Sequence, residues 1–197
     1  MGHSQAEKAA TRERVLRIAS RKVRENGMAA PGVAEIMQEA GLTHGGFYKH
    51  FASRDDLIAQ AAATALAERP VEMEELAGMS EQDRQAGLID SYLGREHRDS
   101  PGIGCGLVTL GAAAGRGDQA LKEAYERRVR GYLNLFGGND SEEARAEAML
   151  TLSALVGATL IARAVADPAL SDELLETVAR QLTGQQDHPE ASAPRGL

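Results

Sequence analysis

The 197-residue sequence has no tryptophan, seven other aromatic residues and a single cysteine. One cysteine, Cys105, excludes an internal disulfide framework and a metal site built from several cysteines. The longest uncharged and mainly apolar run, residues 148–162, is shorter than a membrane-spanning helix requires. Residues 2–24 are polar and charged, so they lack the apolar core of a signal peptide. We therefore expect a soluble, cytoplasmic protein.

Patterns typical of β-strands are also missing. No stretch alternates β-branched and polar residues, whereas Ala, Leu, Glu and Arg are abundant and favour helices. We expect residues 184–197, which have almost no apolar side chains, to be a disordered tail. We predict an all-α fold of about nine helices, at 5–26, 33–40, 44–50, 53–68, 80–93, 107–114, 119–136, 141–166 and 172–183, with a connector at 69–79, an irregular stretch at 97–106 and a break at 115–117. We expect Gly41 to close the second helix, and Ser53, Asp118 and Ser171 to cap the helices that follow them.

Charge is unevenly divided along the chain. The net charge is −7, yet residues 1–60 carry nine Lys and Arg against seven Asp and Glu. Residues 61–197 carry thirteen against twenty-two, so the first part is +2 and the second −9. A mildly basic head on an acidic body fits a protein whose head alone approaches a polyanion, although an excess of two charges also fits chance variation.

The segment GLTHGGFYKHF, residues 41–51, places two glycines where a helix should form. Each glycine costs a helix interior about 1 kcal/mol relative to alanine. Three short helices before residue 51, with a glycine-bearing turn, match a helix-turn-helix layout, whose last helix enters the major groove of DNA. Thr43 is positioned to cap this helix, and Gly45 and Gly46 would let its backbone approach base edges closely. The alternatives are a loosened turn or a closely packed neighbouring helix.

Residues 11–60 resemble the N-terminal DNA-binding domain of the TetR family of transcriptional regulators. TRERVLRIA, VAEIMQEAGLTHGGFYKHF and SRDDLIAQA carry the resemblance, and REHRDSPGIGCGL and LSALVGATLIARAVADPALSDELL resemble the ligand-binding domain of one TetR subgroup. The resemblance implies a DNA-binding domain at 1–52 and an effector-binding and dimerisation domain at 53–183, in which 53–68 is the connecting helix. Pro31 and Gly32 replace hydroxyl residues usual in the family, which puts one phosphate contact in question.

The resemblance also implies a function. It indicates a homodimeric regulator, by family default a repressor, that a small-molecule effector releases from an inverted-repeat operator in double-stranded DNA. Tyr48 and Lys49 would hold phosphates, while Phe47 and Phe51 have the spacing of core residues. The candidate DNA contacts are Thr43, His44, Gly45, Gly46, Tyr48, Lys49 and Arg54.

The second half of the chain suggests an interface and a pocket. The helix at 141–166 is apolar or small nearly all round from 148 to 162, so it should be buried on several sides. We predict that it and the last helix pair with their copies as a four-helix bundle, unless they only bury each other in a monomer. The interface candidates are Ser153, Ala154, Gly157, Ala158, Ile161, Leu175 and Val178. The candidates for an effector pocket between the middle helices are Tyr92, His97, Cys105, Thr109, Tyr125 and Arg128.

An enzyme is not indicated. His97 and Cys105 could form a nucleophile pair, but no third orienting residue is evident, and the histidines lack metalloprotease spacing. We expect no catalytic residue, no metal and no cofactor. Two alternatives stay open: a thiol-based redox or electrophile sensor that uses Cys105, and a helical interaction protein without DNA activity.

Overall fold

The computed structural model describes residues 5–28, 32–68, 80–137 and 141–184. Within these ranges the chain forms nine α-helices and one 3₁₀ helix and has no strand, which confirms the all-α prediction. The elements are α1 (Gln5–Asn26), α2 (Val33–Glu39), the 3₁₀ helix (His44–Lys49), α3 (Arg54–Ala67), α4 (Glu81–Tyr92), α5 (Arg95–Asp99), α6 (Gly106–Arg116), α7 (Gln119–Leu135), α8 (Glu142–Ala164) and α9 (Pro168–Thr183).

The head of the molecule consists of α1, α2 and the 3₁₀ helix. Ion pairs tie α1 to α2, since Lys22 contacts the carboxylates of Glu35 and Glu39. Arg21 of α1 also contacts Glu39. The apolar side of α1, which includes the buried Val15, faces α3. These contacts fix α2, and with it the 3₁₀ helix, relative to α1.

A glycine turn ends α2, as the sequence predicts. Gly41 has φ of +71°, in the left-handed region that favours glycine. Its N–H donates to the Gln38 carbonyl at 2.9 Å, and the Leu42 N–H donates to the Met37 carbonyl at 2.8 Å. This pair of bonds is a Schellman motif, and it turns the chain sharply toward the third helical element.

That third element differs from the expected α-helix, because it is a 3₁₀ helix. The Gly46 N–H donates to the Thr43 carbonyl at 3.0 Å, three residues back, and the His50 N–H donates to the Phe47 carbonyl at 2.9 Å. The prediction that the Thr43 side chain caps the helix is wrong, since its backbone carbonyl serves instead. Short pieces with poor helix formers commonly take this tighter form. The Thr43 side chain is therefore left at the surface.

Two predicted helix caps are confirmed. The Ser53 hydroxyl accepts the Asp56 N–H at 3.0 Å and starts α3. The Asp118 carboxylate accepts the Leu121 N–H at 2.9 Å and starts α7. Each side chain satisfies a backbone donor that has no partner within its helix.

The start of the last helix was placed too late by the sequence pattern. Helix α9 begins at Pro168, with Asp167 as its N-cap accepting the Ala169 N–H at 2.9 Å. Ser171, expected as the cap, lies inside the helix, where its buried hydroxyl donates to the Ala162 carbonyl at 2.8 Å. Proline ends α8 and also suits the first turn of α9.

The region around residue 100 is more helical than expected. Helix α5 occupies Arg95–Asp99, in part of a stretch predicted to be irregular. Helix α6 also runs on through Gly115 to Arg116, although a break was predicted there. Arg163 of α8 holds α5 in place, because its Nε donates to the Arg98 carbonyl at 3.0 Å. A long-range contact therefore stabilises a helix of five residues that is too short to form alone.

The body consists of α4 to α9, and α3 connects it to the head. Helix α3 packs on α1, α6 and α7, and α8 packs along α9 and against α4 to α7. The division of the chain at residue 52 stays a prediction. Predictions that rest on residues 29–31, 69–79, 138–140 and 185–197, among them the connector and nearly all of the expected tail, lie outside the described residues.

Candidate functional site

The 3₁₀ helix presents one buried and one exposed side. Phe47 is 1% exposed and stacks on Phe51 with ring centroids 5.7 Å apart, as expected of core residues. Tyr48, by contrast, is 71% exposed. Its exposed neighbours among the predicted DNA contacts are Thr43, His44, Gly45 and Lys49. All five are thus exposed on the head, and Thr43, Tyr48 and Lys49 line one concave surface there.

The two glycines of the 3₁₀ helix are not required by packing. A Cβ atom built on Gly45 meets nothing within 4 Å in the described structure. One built on Gly46 would lie 3.7 Å from the Met37 Cε, an ordinary van der Waals distance. Neither glycine has positive φ. The geometry therefore does not favour the alternative that they admit a closely packed neighbouring helix.

A concave surface adjoins the 3₁₀ helix and adds a residue that sequence reasoning missed. Lys8 of α1 lines it together with Thr43, Tyr48 and Lys49. Burial lowers the pKa of the neighbouring His50, and the positive charges of Lys8, Arg12 and Lys49 lower it further. The lining of the concave surface holds Lys8 and Lys49 against one described carboxylate, Glu7, so it carries a net positive charge. No local pattern links Lys8 to a segment forty residues later, so only the fold could identify it.

The arginines of the head have mixed roles. Arg54 is half-buried at the start of α3, with its guanidinium 3.6 Å from the Asp55 carboxylate. Arg12 donates to Gln60 of α3 and lies over the Phe51 ring at 5.1 Å, so it joins α1 to α3. Arg54 is thus less available for a phosphate than Lys49.

Arg24 joins the head to the body. It is 7% exposed at the end of α1, and its Nε donates to the Gly102 carbonyl at 2.7 Å. Its guanidinium also contacts the Glu68 carboxylate beyond α3. Thr109 of α6 donates to the Arg24 carbonyl at 2.8 Å, so this predicted pocket residue belongs to the joint. The Arg24 side chain therefore contacts both the end of α3 and the loop before α6.

Glycine allows α6 to approach α3 at this joint. A Cβ atom on Gly106 would lie 2.9 Å from the Ala65 carbonyl oxygen, a backbone atom that cannot move aside. A Cβ atom on Gly104 would lie 2.7 Å from the His97 ring. The G-x-G-x-G run at 102–106 thus serves close packing, and not the binding of a dinucleotide.

Three of the predicted pocket residues form a cluster, in which the half-buried His97 lies between the buried Tyr92 and Cys105. The Cys105 N–H donates to His97 Nε2 at 2.9 Å, and His97 Nδ1 lies 2.6 Å from the Tyr92 carbonyl oxygen. These two bonds require a neutral imidazole with its proton on Nδ1. Cys105 is 4% exposed. Reactive thiols are partly exposed, so this burial does not favour the sensor alternative, which stays a prediction.

Two cavities of the body lie between α3 and α7, the second of them reaching α6. One of about 570 Å³ is lined by Ala63, Leu66, Ala67, Ala124, Arg127, Arg128, Gly131, Tyr132, Asn134 and Leu135. A second, of about 390 Å³, continues toward the start of α7 and shares Ala63, Ala124 and Arg127. Of the six residues predicted to line a pocket, Arg128 alone lines either of these two cavities. Tyr125 instead donates its hydroxyl hydrogen to the Leu107 carbonyl at 3.2 Å.

Helix α8 has an apolar face that the described chain does not cover. Leu150 is 68% and Leu160 52% exposed, so the expectation of burial on several sides fails along this face. We call it the α8 stripe, and it consists of Met149, Leu150, Ser153, Gly157, Leu160 and Ile161.

The predicted interface residues divide between this stripe and the core. Ser153 and Ile161 are exposed, and Ala154, Gly157 and Val178 are half-buried. Ala158 and Leu175 are buried within the chain itself, at 6% and 3% exposure, so they do not offer surface to a second copy. By length and composition alone α8 could cross a membrane, and its other sides pack on five helices of the chain.

Comparison with known proteins agrees with this geometry. Residues 15–61 match the model of a family described as bacterial regulatory proteins, tetR family. A TetR transcriptional regulator from Chloroflexus aurantiacus has 21% identity and a TM-score of 0.75, over 91% of this chain and 96% of its own. A TetR-family regulator from Agrobacterium tumefaciens has 18% identity and a TM-score of 0.72, over 90% and 98%. E. coli NemR in its reduced form has 20% identity and a TM-score of 0.69, over 89% and 96%. No curated protein sequence matches the chain.

These likenesses cover both parts of the molecule. The family model covers α1 from Val15, α2, the 3₁₀ helix and the first half of α3. The solved structures extend the shared fold over the body. Residues 15–61 therefore match the model of the bacterial tetR family, and the chain shares the fold of solved TetR-family regulators.

Proposed function

We propose that this protein is a DNA-binding transcriptional regulator of the cytoplasm that reads duplex DNA with its 3₁₀ helix. One observation carries the proposal: the exposed start of this helix has at Gly45 a bare backbone for which the fold gives no reason. Without a side chain there, the main chain reaches base edges, while Thr43 and His44 present polar groups to them. Lys49, Tyr48 and Lys8 surround the contact and suit phosphates.

The α8 stripe supports a homodimer. An uncovered apolar helix face on an otherwise charged protein suits a self-complementary, two-fold interface. Two heads related by such an axis would read an inverted repeat with half-sites about one helical turn apart.

Regulation by a small effector follows from the joint at Arg24. The cavities between α3 and α7 adjoin the helix that links head and body, so a ligand there would favour one arrangement of α3 over another. Arg24 would transmit the change to α1 through its contacts with Glu68 and Gly102. Effector binding then shifts the population toward a spacing of the two heads that no longer fits the operator, which makes the protein a repressor.

Replacement of Gly45 by alanine tests the close approach to DNA. The added methyl group meets open space in the free protein, so we expect unchanged or slightly raised stability, by about 0.4–1 kcal/mol. Affinity for operator DNA, measured by fluorescence anisotropy, should fall about tenfold or more, since the methyl group stands between backbone and bases. Gly115→Ala is the matched control, because Gly115 also faces open space but lies in the body. Equal affinities of both variants would refute the role of the bare backbone.

Lys49→Ala tests the phosphate contact. We expect weaker binding to every DNA sequence and a salt dependence flatter by about one charge, since each neutralised phosphate contributes about −0.9 to the slope. Titrations of labelled duplexes at several salt concentrations measure this slope. Lys122→Ala removes an exposed lysine from α7 and should leave it unchanged. A wild-type slope for Lys49→Ala would remove Lys49 from the DNA contacts.

A further inference from the structure

We propose that the cavity of about 570 Å³ between α3 and α7 binds an organic anion, a carboxylate with an apolar body, through Arg128 and Arg127. This inference rests on the proposed function only in taking the cavity as the effector site. The residues that line the cavity indicate the class of ligand.

The cavity lining carries positive charge that no carboxylate among the described residues neutralises. Among the residues that the structure describes, it includes two adjacent arginines and no Asp or Glu, although residues 61–197 have a net charge of −9. Within the described parts of the chain neither arginine forms an ion pair. Arg130, only two residues further along α7, does pair with Glu126, at 2.6 Å. The arginines at the cavity are therefore available to an external anion.

Arg128 is held in place for such a contact. Its guanidinium carbon lies 4.6 Å from the centre of the Tyr132 ring, and its Nη2 donates weakly to the Tyr132 hydroxyl at 3.3 Å. Its Nε is buried and finds no hydrogen-bond partner among the described residues. The Nε therefore faces away from the cavity, and a carboxylate there would accept from the Nη groups of Arg128, with the paired geometry that arginine favours.

The remainder of the cavity suits an apolar body. Ala63, Ala67 and Ala124 are small, and a Cβ atom on Gly131 would meet nothing within 4 Å. Burial raises the pKa of Tyr132, so its hydroxyl stays neutral and does not repel an anion. The volume lies within the range of about 300–1,000 Å³ that is usual for small-molecule sites. A single carboxylate on a hydrocarbon or aromatic body matches these features better than a polyanion, which would need more cations.

Calorimetry with matched probes tests the proposal. Octanoate and 4-phenylbutyrate supply the anion, and 1-octanol and octylammonium carry a similar chain without negative charge. Both anions should bind to the full-length protein, whereas the alcohol and the ammonium should not bind at the same concentrations. Arg128→Met should weaken anion binding about tenfold or more, because it removes the charge but keeps an unbranched chain. Gly131→Leu should abolish binding by filling the space, and it replaces a poor helix former.

Every result of these measurements either supports or overturns the proposed ligand class. Failure of both anions to bind, binding of the alcohol as tight as that of octanoate, or unchanged octanoate binding by a folded Arg128→Met would overturn the proposal. Operator binding is measured on the same protein without any probe. Loss of DNA binding with anion binding intact would refute the proposed function alone, and the reverse would refute only the ligand class.

Discussion

Leu160→Glu is expected to convert the proposed dimer to a monomer and to lower operator affinity about 10²–10⁴-fold. Leu160 is 52% exposed near the C-terminal end of the α8 stripe, and in the proposed dimer each added carboxylate would lie in an apolar interface. A buried unpaired charge is strongly unfavourable. A monomer has a single head, so it loses the gain in affinity that comes from binding two half-sites at once. Light scattering after size exclusion measures the assembly, and anisotropy measures the affinity.

A matched control is available at another exposed apolar residue. Ile103 is 64% exposed in the loop before α6, outside the α8 stripe. Ile103→Glu adds the same charge and should leave both the dimer and operator binding intact. If Leu160→Glu remained a dimer with normal affinity, the α8 stripe would not be the interface between two copies.

Phe47→Ala is expected to destabilise the protein by about 3–5 kcal/mol. Phe47 is 1% exposed, stacks on Phe51 and lies edge-on to Tyr48, so its removal leaves a cavity under the 3₁₀ helix. The loss is large against a typical total of about 5–15 kcal/mol. Urea denaturation followed by circular dichroism measures it, since the helices provide the signal.

Tyr48→Ala tests whether Tyr48 contacts DNA while its neighbour Phe47 serves only the core. Tyr48 is 71% exposed, so its replacement should change stability by less than about 0.5 kcal/mol while it weakens DNA binding. A Phe47→Ala variant as stable as the wild type, but deficient in DNA binding, would instead assign Phe47 to the DNA contact.

Helix periodicity and local caps made most of the fold predictable. Gly41 was expected to close α2 because glycine suits a left-handed end, and Ser53 and Asp118 were expected caps because their side chains accept backbone N–H groups. These are interactions between near neighbours. Helix α5 was missed because Arg163, more than sixty residues away, holds its carbonyl groups.

The candidate site was only partly predictable for a similar reason. The exposed residues of the 3₁₀ helix follow from one short segment, but Lys8 joins them only through the fold. The pocket prediction selected reactive side chains, and five of its six residues line neither cavity between α3 and α7. Small residues such as Ala63 and Gly131 create the space instead, and their mutual positions on two helices cannot be read from the sequence.

The central claim is that two copies of the chain press the bare start of the 3₁₀ helix against duplex DNA. Its most direct test is an anisotropy titration of labelled duplex DNA from the region upstream of the protein's own gene, at low ionic strength. We expect saturation at two chains per inverted repeat and an affinity that falls as salt is added. No binding of any upstream fragment at low salt by the folded protein would contradict the account.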